Sequence, residues 1–321
     1  MLISLEDRMK QYRRLYEILW FKNPRIKKKE IAAALGVDPR TASRRIEEAM
    51  EGSHILGPHV RKRSYANMKE YISFCSAKDP LETYTRLEKD SNISYHAKMT
   101  GFANSWIISK ERVDISGEIL VEAPRSDYYM SYAPDCSWNQ ALETIRNKID
   151  DFSPLRYNPQ CAIRTHWNET AEWDSEDENL LTYFRHNLRK TFIPVMREHL
   201  ITTAKVYKFL AKLPTCCTVT TSYFPEGISE YDPYLFCFRT EYEDFIIDLF
   251  SQIPTSSLFF RVSDRLFVLA HLKKDIVRSN DFKGFQGFQP CLLSLTNKLL
   301  KKEIIHSEEH AIIEYHIAKN L

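Results

Sequence analysis

The chain has 321 residues, of which 43% are hydrophobic, and this length predicts two or more globular domains. No stretch approaches the roughly 18 apolar residues that cross a bilayer, and residues 1–14 lack the charge-then-apolar order of a signal peptide. We therefore expect a cytoplasmic protein without a membrane partner. Only 8 glycines occur, with no glycine-rich phosphate motif and no G-x-S-x-G, which argues against nucleotide-binding enzymes and serine hydrolases.

The spacing of the cysteines and the distribution of charge indicate which kinds of site and partner to expect. The 7 cysteines are scattered and no C-x-x-C occurs, so we expect no disulfide framework and no structural zinc site. We also expect no metal and no cofactor elsewhere in the chain. A redox pair at Cys216–Cys217 is the minor alternative. Residues 1–63 contain 15 Lys and Arg against 8 Asp and Glu, whereas the rest contains 30 against 35. A basic head on a mildly acidic body indicates binding to a polyanion.

The first elements in chain order are three predicted helices. Apolar residues at helical spacing over 12–20 predict the first helix, and Pro24 interrupts the pattern. The second helix follows at 27–35 and ends at Gly36. Asp38 is a suitable N-cap for the third helix, with Pro39 at its first position. Three helices with a tight turn between the last two predict a helix-turn-helix.

The third helix carries the residues that we expect to contact DNA bases in the major groove. These are Arg40, Thr41, Ser43, Arg44 and Arg45. Contacts to the phosphate backbone are expected from Lys27, Lys28 and Lys29 and from the tip of a predicted β-hairpin wing, Arg61, Lys62 and Arg63. The alternatives are a three-helix bundle with a solvated basic side and a helix-turn-helix that serves only in dimerisation.

The next elements form an internal repeat. Residues 71–109 and 234–272 both read strand, helix, strand, turn, strand, at an offset of about 162 residues. A second helix and a fourth strand follow in each copy, at 137–152 and 161–170 in the first and at 291–303 and 310–318 in the second. The first copy also contains a predicted hairpin at 117–135. The order βαββαβ predicts two ferredoxin-like units and an α+β fold class.

The helix-turn-helix is repeated as well. Residues 176–214 align with the first copy at an offset near 164, but Arg40, Arg44 and Arg45 are replaced by Ala204, Lys208 and Phe209. We interpret the second copy as degenerate and mainly structural. The predicted domains are a winged helix-turn-helix at 1–66, a ferredoxin-like domain at 67–170, a degenerate helix-turn-helix at 171–226 and a second ferredoxin-like domain at 227–321.

The stretch "NPRIKKKEIAAALGVDPRTASRRIEEAMEGSHILG", followed by a βαββαβ unit with "MTGFANSWIIS" at its turn, resembles the leucine-responsive/AsnC-type transcription regulators. The resemblance implies a regulator that binds double-stranded DNA and is not an enzyme. It also implies that a small effector, such as an amino acid, binds at the turns that contain Thr100, Gly101 and Asn104 and, in the second unit, Ser263 and Asp264. Because both domains occur twice, we expect an intrachain pseudo-dimer, and a homodimer for a palindromic operator.

Two enzymes are the alternatives. The chain also resembles siroheme decarboxylases, which the family implies present His, Tyr and Arg to a tetrapyrrole around strands two and three. The candidates for those roles are Tyr95, His96 and Lys98 in the first unit and Arg261, Arg265 and His271 in the second. The arginines of the third helix favour the regulator. A zinc-peptidase pattern, H-x-x-E-H at 306–310, lies in a predicted turn that runs into a strand, and we expect no metal there.

Overall fold

A computed structural model of the chain describes residues 4–274 and 288–319, in two compact units. Unit 1 consists of Met1–Lys62 and Glu172–Glu230, and unit 2 of Arg63–Ala171 and Tyr231–Leu321. Each unit therefore combines two segments that are distant in the sequence. No helix in the described ranges has the length and apolarity that a bilayer crossing requires.

The elements of the described ranges are numbered in chain order. The α-helices are α1 Leu5–Phe21, α2 Lys28–Leu35, α3 Pro39–Glu51, α4 Pro80–Glu88, α5 Trp138–Asp151, α6 Ser175–Phe184, α7 Ile193–Glu198, α8 Thr203–Cys216, α9 Glu243–Phe250 and α10 Phe288–Lys301. The strands are β1 Ile55–Lys62, β2 Tyr71–Ala77, β3 Ile93–Gly101, β4 Ser105–Ser109, β5 Gly117–Pro124, β6 Tyr129–Met130, β7 Cys217–Tyr223, β8 Tyr231–Arg239, β9 Leu258–Val262, β10 Arg265–Lys273 and β11 Ser307–Ala318.

Unit 1 contains two helix-turn-helix copies, α1–α3 and α6–α8. In the first copy Gly36 ends α2 at a φ of 65°, a left-handed conformation that favours glycine. Asp38 then caps α3 by accepting hydrogen bonds from the backbone N–H groups of Arg40 and Thr41, with Pro39 at the first helical position. The caps and the turn are those that the sequence predicts.

The predicted wing hairpin is wrong. Residues after α3 form the single strand β1, which pairs antiparallel with β7 of the second copy, with Val60 opposite Val219 and Lys62 opposite Cys217. The reason is that the second copy presents a matching strand whose backbone groups also need partners. The two copies thus share one two-stranded sheet in place of a separate wing on each.

Two arginines join the copies reciprocally. Arg25 donates hydrogen bonds to the backbone carbonyls of Leu188 and Lys190. Arg189, which occupies the position of Arg25 in the second copy, donates to the carbonyls of the two residues that flank Arg25, at 2.7 and 2.9 Å. Such an exchange, in which each copy uses the same residue on its counterpart, is the signature of a two-fold relation. Unit 1 is an internal pseudo-dimer of helix-turn-helix copies.

Unit 2 is built on one sheet, which has nine strands in the described ranges, in the order β5-β2-β4-β3-β11-β8-β10-β9-β6. Each half contributes a four-stranded ferredoxin-like sheet, and antiparallel pairing of β3 with β11 joins the halves, from Gly101 opposite Ala311 to Tyr95 opposite Ala318. Phe74 on β2 stacks on Phe267 of β10 at 4.3 Å, although these strands are far apart in the sheet order. The sheet therefore curls, and the inner faces of its halves pack together.

Helices cover the outer face of unit 2. α9, α10 and α5 pack on the second half, where Ile145 and Ile149 of α5 join the core around Phe236 and Phe238. α4 packs on the first half against β3 and β2. The two halves therefore differ in their outer cover, because α5 lies on the half to which it does not belong in sequence.

The predicted fourth strand of the first half is also wrong. Residues 161–170 form no strand, and their bridge to the rest of the unit is His166 with Tyr65. β5 occupies the edge beside β2 in its place, and β6 pairs with β9. The hairpin predicted at 117–135 is absent for the same reason, since β5 and β6 pair with other strands. The predicted fold class, α+β with a helix-turn-helix and a ferredoxin-like unit in duplicate, is confirmed.

Candidate functional site

The first candidate surface is the exposed side of α3 in unit 1. Arg40 is exposed, and Arg44 has 62% of its side chain exposed. Thr41 and Ser43 are partly exposed, and the Thr41 hydroxyl donates to the N-cap Asp38 at 2.6 Å. Four of the five predicted base-contacting residues therefore lie at or near the surface of the amino-terminal half of α3.

Arg45 differs from the other four. Its side chain is 3% exposed, and its Nε donates to Gln11 Oε1 at 2.7 Å. A second guanidinium nitrogen forms an ion pair with Glu48, which also accepts from the Tyr12 hydroxyl. The sequence analysis placed Arg45 at the open side; the structure corrects this, because Arg45 lies between the buried Ala42 and Ala49 on the helix face that packs against α1.

Three residues predicted to contact phosphates lie at one end of α2. Lys27, Lys28 and Lys29 are all exposed at its amino-terminal end. A depression of about 600 Å³ lies beside them, with Lys22 and Arg25 in its wall. These lysines keep the basic surface that the sequence predicts.

The cations predicted at the wing have partners within the chain. In unit 1 the Arg61 guanidinium donates to the backbone carbonyl of Arg185 at 3.0 Å, and Lys62 forms an ion pair with Glu178 at 2.9 Å. In unit 2 Arg63 lies 3.9 Å from the Asp127 carboxylate. Arg61 and Lys62 on β1 therefore contact other residues of unit 1, and Arg63 lies near a carboxylate of unit 2.

The second helix-turn-helix neutralises the basic face of α8. Asp177 is fully buried and lies 2.9 Å from both Lys205 and Lys212, while Lys208 lies 3.0 Å from Glu172. Lys205 also pairs with the N-cap carboxylate that begins α6. These contacts direct the three lysines of α8 towards carboxylates of the same copy.

The first predicted effector turn lies between β3 and β4. The Asn104 side chain binds both backbone groups of Ala77, accepting from its N–H at 2.8 Å and donating to its carbonyl at 2.9 Å. Gly101 has a φ of 148°, and a Cβ there would lie 2.2 Å from the carbonyl oxygen of His310. The Thr100 hydroxyl donates to Glu314. In this structure the three residues hold strands together.

The second predicted effector turn, between β9 and β10, has a similar local role. Ser263 has a φ of 56°, and the Asp264 carboxylate lies 2.8 Å from the guanidinium of Arg239 on β8. Both side chains of this ion pair are more than half exposed, so it stabilises the turn only weakly. Ligand binding at either turn stays a prediction.

The second candidate surface lies in unit 2, at one end of the inner face of the sheet. Tyr95 on β3, His271 on β10 and His316 on β11 point to this face, and we call them the inner-face cluster. The rings of Tyr95 and His316 lie 5.9 Å apart. His316 is exposed, whereas Tyr95 and His271 are partly buried. Three strands from distant parts of the sequence therefore bring three groups that transfer or share protons to one open edge.

Burial sets the protonation states in the cluster. It raises the pKa of the Tyr95 phenol well above its ordinary value, so this residue stays a hydrogen-bond donor at neutral pH. It lowers the pKa of His271 to about 4, with a smaller contribution from the nearby His316. His271 is therefore a neutral imidazole at neutral pH.

Aromatic and aliphatic side chains form the wall behind the cluster. The Trp106 ring lies 4.9 Å from Tyr95 and stacks on Phe260 at 5.6 Å. Leu258 and Leu269 pack beside them and are partly exposed. An apolar, aromatic wall next to a few polar groups is typical of sites for flat organic ligands.

The other candidates for a tetrapyrrole site lie elsewhere. His96 is buried on the outer face, 4.7 Å from the Tyr84 ring, and burial lowers its pKa. Ion pairs engage the remaining three, Lys98 with Glu314, Arg261 with Glu243 and Arg265 with Glu309. Of the six candidates, the structure brings together Tyr95 and His271.

His316 was missed by the sequence analysis. Ala311 and Ile313 point to the inner face, and strict alternation would put His316 on the outer face. The pairing of β11 with β3 shifts at Glu314, which makes a bulge and turns His316 inward, opposite Ala97. The strand was visible in the sequence, but the bulge had no sequence signal.

The zinc-peptidase pattern also falls on β11. His310 lies within the strand and contacts Glu308 at 2.9 Å. Across residues 4–274 and 288–319, no group of three His, Cys, Asp or Glu side chains is arranged to bind a metal ion.

No family model and no curated protein matches the chain. Two solved structures do. The crystal structure of the siroheme decarboxylase NirDL is 11% identical, with a TM-score of 0.48, over 95% of this chain and 91% of that one. The same enzyme in complex with an iron-uroporphyrin III analogue is 11% identical, with a TM-score of 0.46, over 97% and 95%.

One prediction is corrected by this comparison. The sequence analysis excluded an enzyme, and both structures that the chain resembles are of an enzyme. The prediction that the chain is not an enzyme is therefore contradicted. An identity of 11% with a TM-score of 0.48 assigns no activity to this chain.

Proposed function

We propose that the chain is an enzyme of the siroheme-decarboxylase kind, with its substrate site at the inner-face cluster of unit 2. The observation that carries the proposal is the convergence of Tyr95, His271 and His316 on one open edge, next to the aromatic wall of Trp106 and Phe260. The residues come from three strands that are far apart in the sequence, so the site is a product of the duplicated fold.

The surface suits a flat macrocycle. The exposed imidazole of His316 and the partly exposed ring of Tyr95 offer stacking area, and the partly exposed Leu258 and Leu269 exclude water from one side. In the proposed reaction, an acidic side chain of the tetrapyrrole loses its carboxylate as carbon dioxide. The carbon–carbon bond to the carboxylate breaks, and its electron pair takes up one proton, so that a methyl group replaces the acetate.

Each member of the cluster has a role in this reaction. The Tyr95 phenol is protonated at neutral pH and donates a hydrogen bond that orients the substrate. His271 is a neutral imidazole at neutral pH, so it adds a polar but uncharged group to the site. His316 is exposed to solvent, and its role is to supply the proton that replaces carbon dioxide.

The test is to incubate the purified full-length chain with siroheme and to follow the visible spectrum and the mass of the tetrapyrrole. We expect binding to shift the spectrum and turnover to lower the mass by carbon dioxide. His316→Ala is expected to lower the turnover rate by roughly 10²-fold or more, the usual contribution of a general acid. His306→Ala is the matched control, since His306 is exposed in the turn before β11. If the visible spectrum of siroheme does not change when the chain is added, the proposal is wrong.

A second candidate function has an observation of its own. Arg40, Thr41 and Arg44 are accessible on the amino-terminal half of α3, and Lys27–Lys29 are exposed nearby on α2. This is the arrangement in which a recognition helix contacts base edges and its support contacts phosphates. We propose DNA binding by the first helix-turn-helix as this second function, to be tested by a mobility shift on the promoter of its own gene.

A further inference from the structure

The second helix-turn-helix of unit 1 carries an apolar patch on its surface. The members of the apolar patch are exposed residues of α7, of α8 and of the turn between them: Ile193, Leu200, Ala204, Tyr207 and Ala211. Leu200 and Tyr207 have 87% and 61% of their surface exposed. The ring of Tyr207 lies 6.0 Å from that of Phe192, so the start of α7 is next to the middle of α8. Exposed apolar residues that cluster in this way mark interaction sites in soluble proteins.

The corresponding positions of the first copy are not apolar. At the offset of 164 residues that relates Arg25 to Arg189, the counterparts of the apolar patch are Lys29, Gly36, Arg40, Ser43 and Glu47. The backbone supports this register, because Gly36 and Leu200 both have left-handed φ angles, 65° and 55°. The second copy therefore carries apolar residues at five positions where the first carries glycine or a polar residue. Abolishing DNA binding requires only the loss of the cations, so the apolar character needs another reason.

Leu200 is unfavourable in two respects when the patch is uncovered. Its left-handed backbone favours glycine, which the first copy has at this position, because a Cβ crowds the backbone in that conformation. Its side chain also exposes most of its apolar surface to water. Packing of this side chain against a partner offsets both effects, and this favours a role in association.

The spacing along α8 indicates that the partner presents a helix. Ala204, Tyr207 and Ala211 are separated by three and four residues, which is the repeat of a helix that packs along another helix. The opposite face of α8 is also apolar, with the buried residues Val206, Phe209, Leu213 and Cys216. A helix that is apolar on all sides is normally buried on all sides. One apolar face of α8 is covered within this chain, and the other is open.

The charges at the rim of the apolar patch identify the partner. On one side Lys208 lies 3.0 Å from Glu172, and on the other Arg197 and Glu198 are both exposed. The rim therefore carries two positive and two negative charges, so it favours neither a polyanion nor a strongly basic partner. A surface with equal numbers of both signs is complementary to a second copy of itself, because a two-fold rotation can bring each charge near an opposite one.

We propose that two copies of this chain associate through the apolar patch, with α8 of one copy packed against α8 of the other. Such an isologous contact covers the patch on both copies at once. Leu200 and Tyr207 supply the apolar area, and the rim charges determine the choice of partner more than the affinity. The association is independent of the reaction proposed for unit 2.

Sedimentation equilibrium of the full-length chain over a range of concentrations measures the association. We expect the wild-type chain to form a dimer. Leu200→Asp places a charge at the centre of the contact and is expected to raise the dissociation constant by roughly 10-fold or more. The matched control is Leu155→Asp, since Leu155 is 97% exposed in the short 3₁₀ turn of unit 2 at residues 154–156. The control should leave the dissociation constant unchanged.

A second variant separates association from folding. Leu200→Gly gives the turn the residue that the first copy has there, so it relieves the backbone while it removes the side chain. We expect this variant to weaken the dimer and to keep or raise the thermal stability of the dilute, monomeric chain. It also decides the matter if Leu200→Asp does not fold.

Three results would overturn the inference. One is a wild-type chain that is monomeric at every concentration. Another is a dissociation constant that neither substitution at Leu200 changes. The third is an equal loss of association in the Leu155 control. None of them affects the reaction proposed for unit 2, which the siroheme assay tests separately.

Discussion

The two helix-turn-helix copies of unit 1 have the same three helices and opposite surface chemistry. Arg25 and Arg189 bind carbonyls of the opposite copy in the same way. In the first copy, Arg40 and Arg44 are accessible on α3, with Arg44 3.6 Å from Glu48. In the second copy the buried Asp177 engages Lys205 and Lys212, and Lys208 is exposed and paired with Glu172. The comparison shows that duplication preserved the packing of a fold while only one copy kept an accessible basic face, because surface charge is independent of the fold.

The largest effect is expected at the charge cluster of the second copy. Asp177→Ala removes the buried carboxylate and leaves Lys205 and Lys212 largely buried without it. We expect unit 1 to lose about 3–5 kcal/mol of unfolding free energy, as when one partner of a buried pair is deleted. Urea denaturation measures this. The control is Glu176→Ala, since Glu176 is about half exposed and lies 3.9 Å from Lys205. Equal losses would show that Asp177 is not a structural anchor.

The reciprocal arginines should give the next largest effect. Arg189→Ala leaves two backbone carbonyls of the first copy without their donors, which costs about 1–3 kcal/mol for each buried group. If the two arginines contribute equally to the free energy of unfolding, Arg25→Ala should destabilise unit 1 by a comparable amount in the same denaturation assay. Arg197→Ala, at an exposed position of α7, is the control. If one substitution lowered the free energy of unfolding strongly and the other did not, the two arginines would not be equivalent.

DNA binding tests the difference in surface charge directly. Arg40→Ala combined with Arg44→Ala should weaken binding to promoter DNA by about 10-fold or more in a mobility-shift assay and reduce its salt dependence. Lys208→Ala on α8 is the matched change in the second copy, where the lysine pairs with Glu172, and it should leave the affinity unchanged. Equal effects would mean that both copies contact DNA.

The smallest effect concerns pH at the strand that the copies share. Burial lowers the pKa of His59 on β1 to about 3, with smaller contributions from Arg61 and His186. The unfolded chain therefore binds a proton more readily than the folded chain below about pH 6.5, so stability falls as the pH drops from there towards 3. His59→Gln should remove on the order of 1 kcal/mol of the stability difference between about pH 7 and pH 5. An unchanged pH dependence would show that His59 does not contribute.

Prediction succeeded where the signal was local. Gly36, Asp38 and Pro39 indicate the turn and the start of α3 through their own backbone preferences. The alternation and spacing of the two β-units predicted most strands of unit 2. The prediction of a strand at 161–170 was wrong, because β5 pairs with β2 at that edge of the sheet. A local sequence pattern does not reveal which of two segments will pair with an edge strand.

The candidate site was predicted only in part. Tyr95 and His271 were predicted as candidates, but in separate ferredoxin-like halves of the chain. The inward position of His316 depends on a bulge at Glu314. Likewise Arg45 has the residue type of a DNA contact, yet it is buried on the side of α3 that packs against α1. Charge in a sequence does not reveal which side of a helix is covered, because that depends on neighbours that are distant in the chain.

The sequence by itself determined the duplication, the helix-turn-helix and the ferredoxin-like pattern, since these follow from hydrophobic periodicity and from residues with special backbone conformations. Only the tertiary structure decided which charges are accessible and which polar groups meet. β1 found its partner in β7, and Tyr95, His271 and His316 met on one face because the sheet of unit 2 curls. Pairing between distant strands depends on the geometry of both partners, and neither partner encodes it alone.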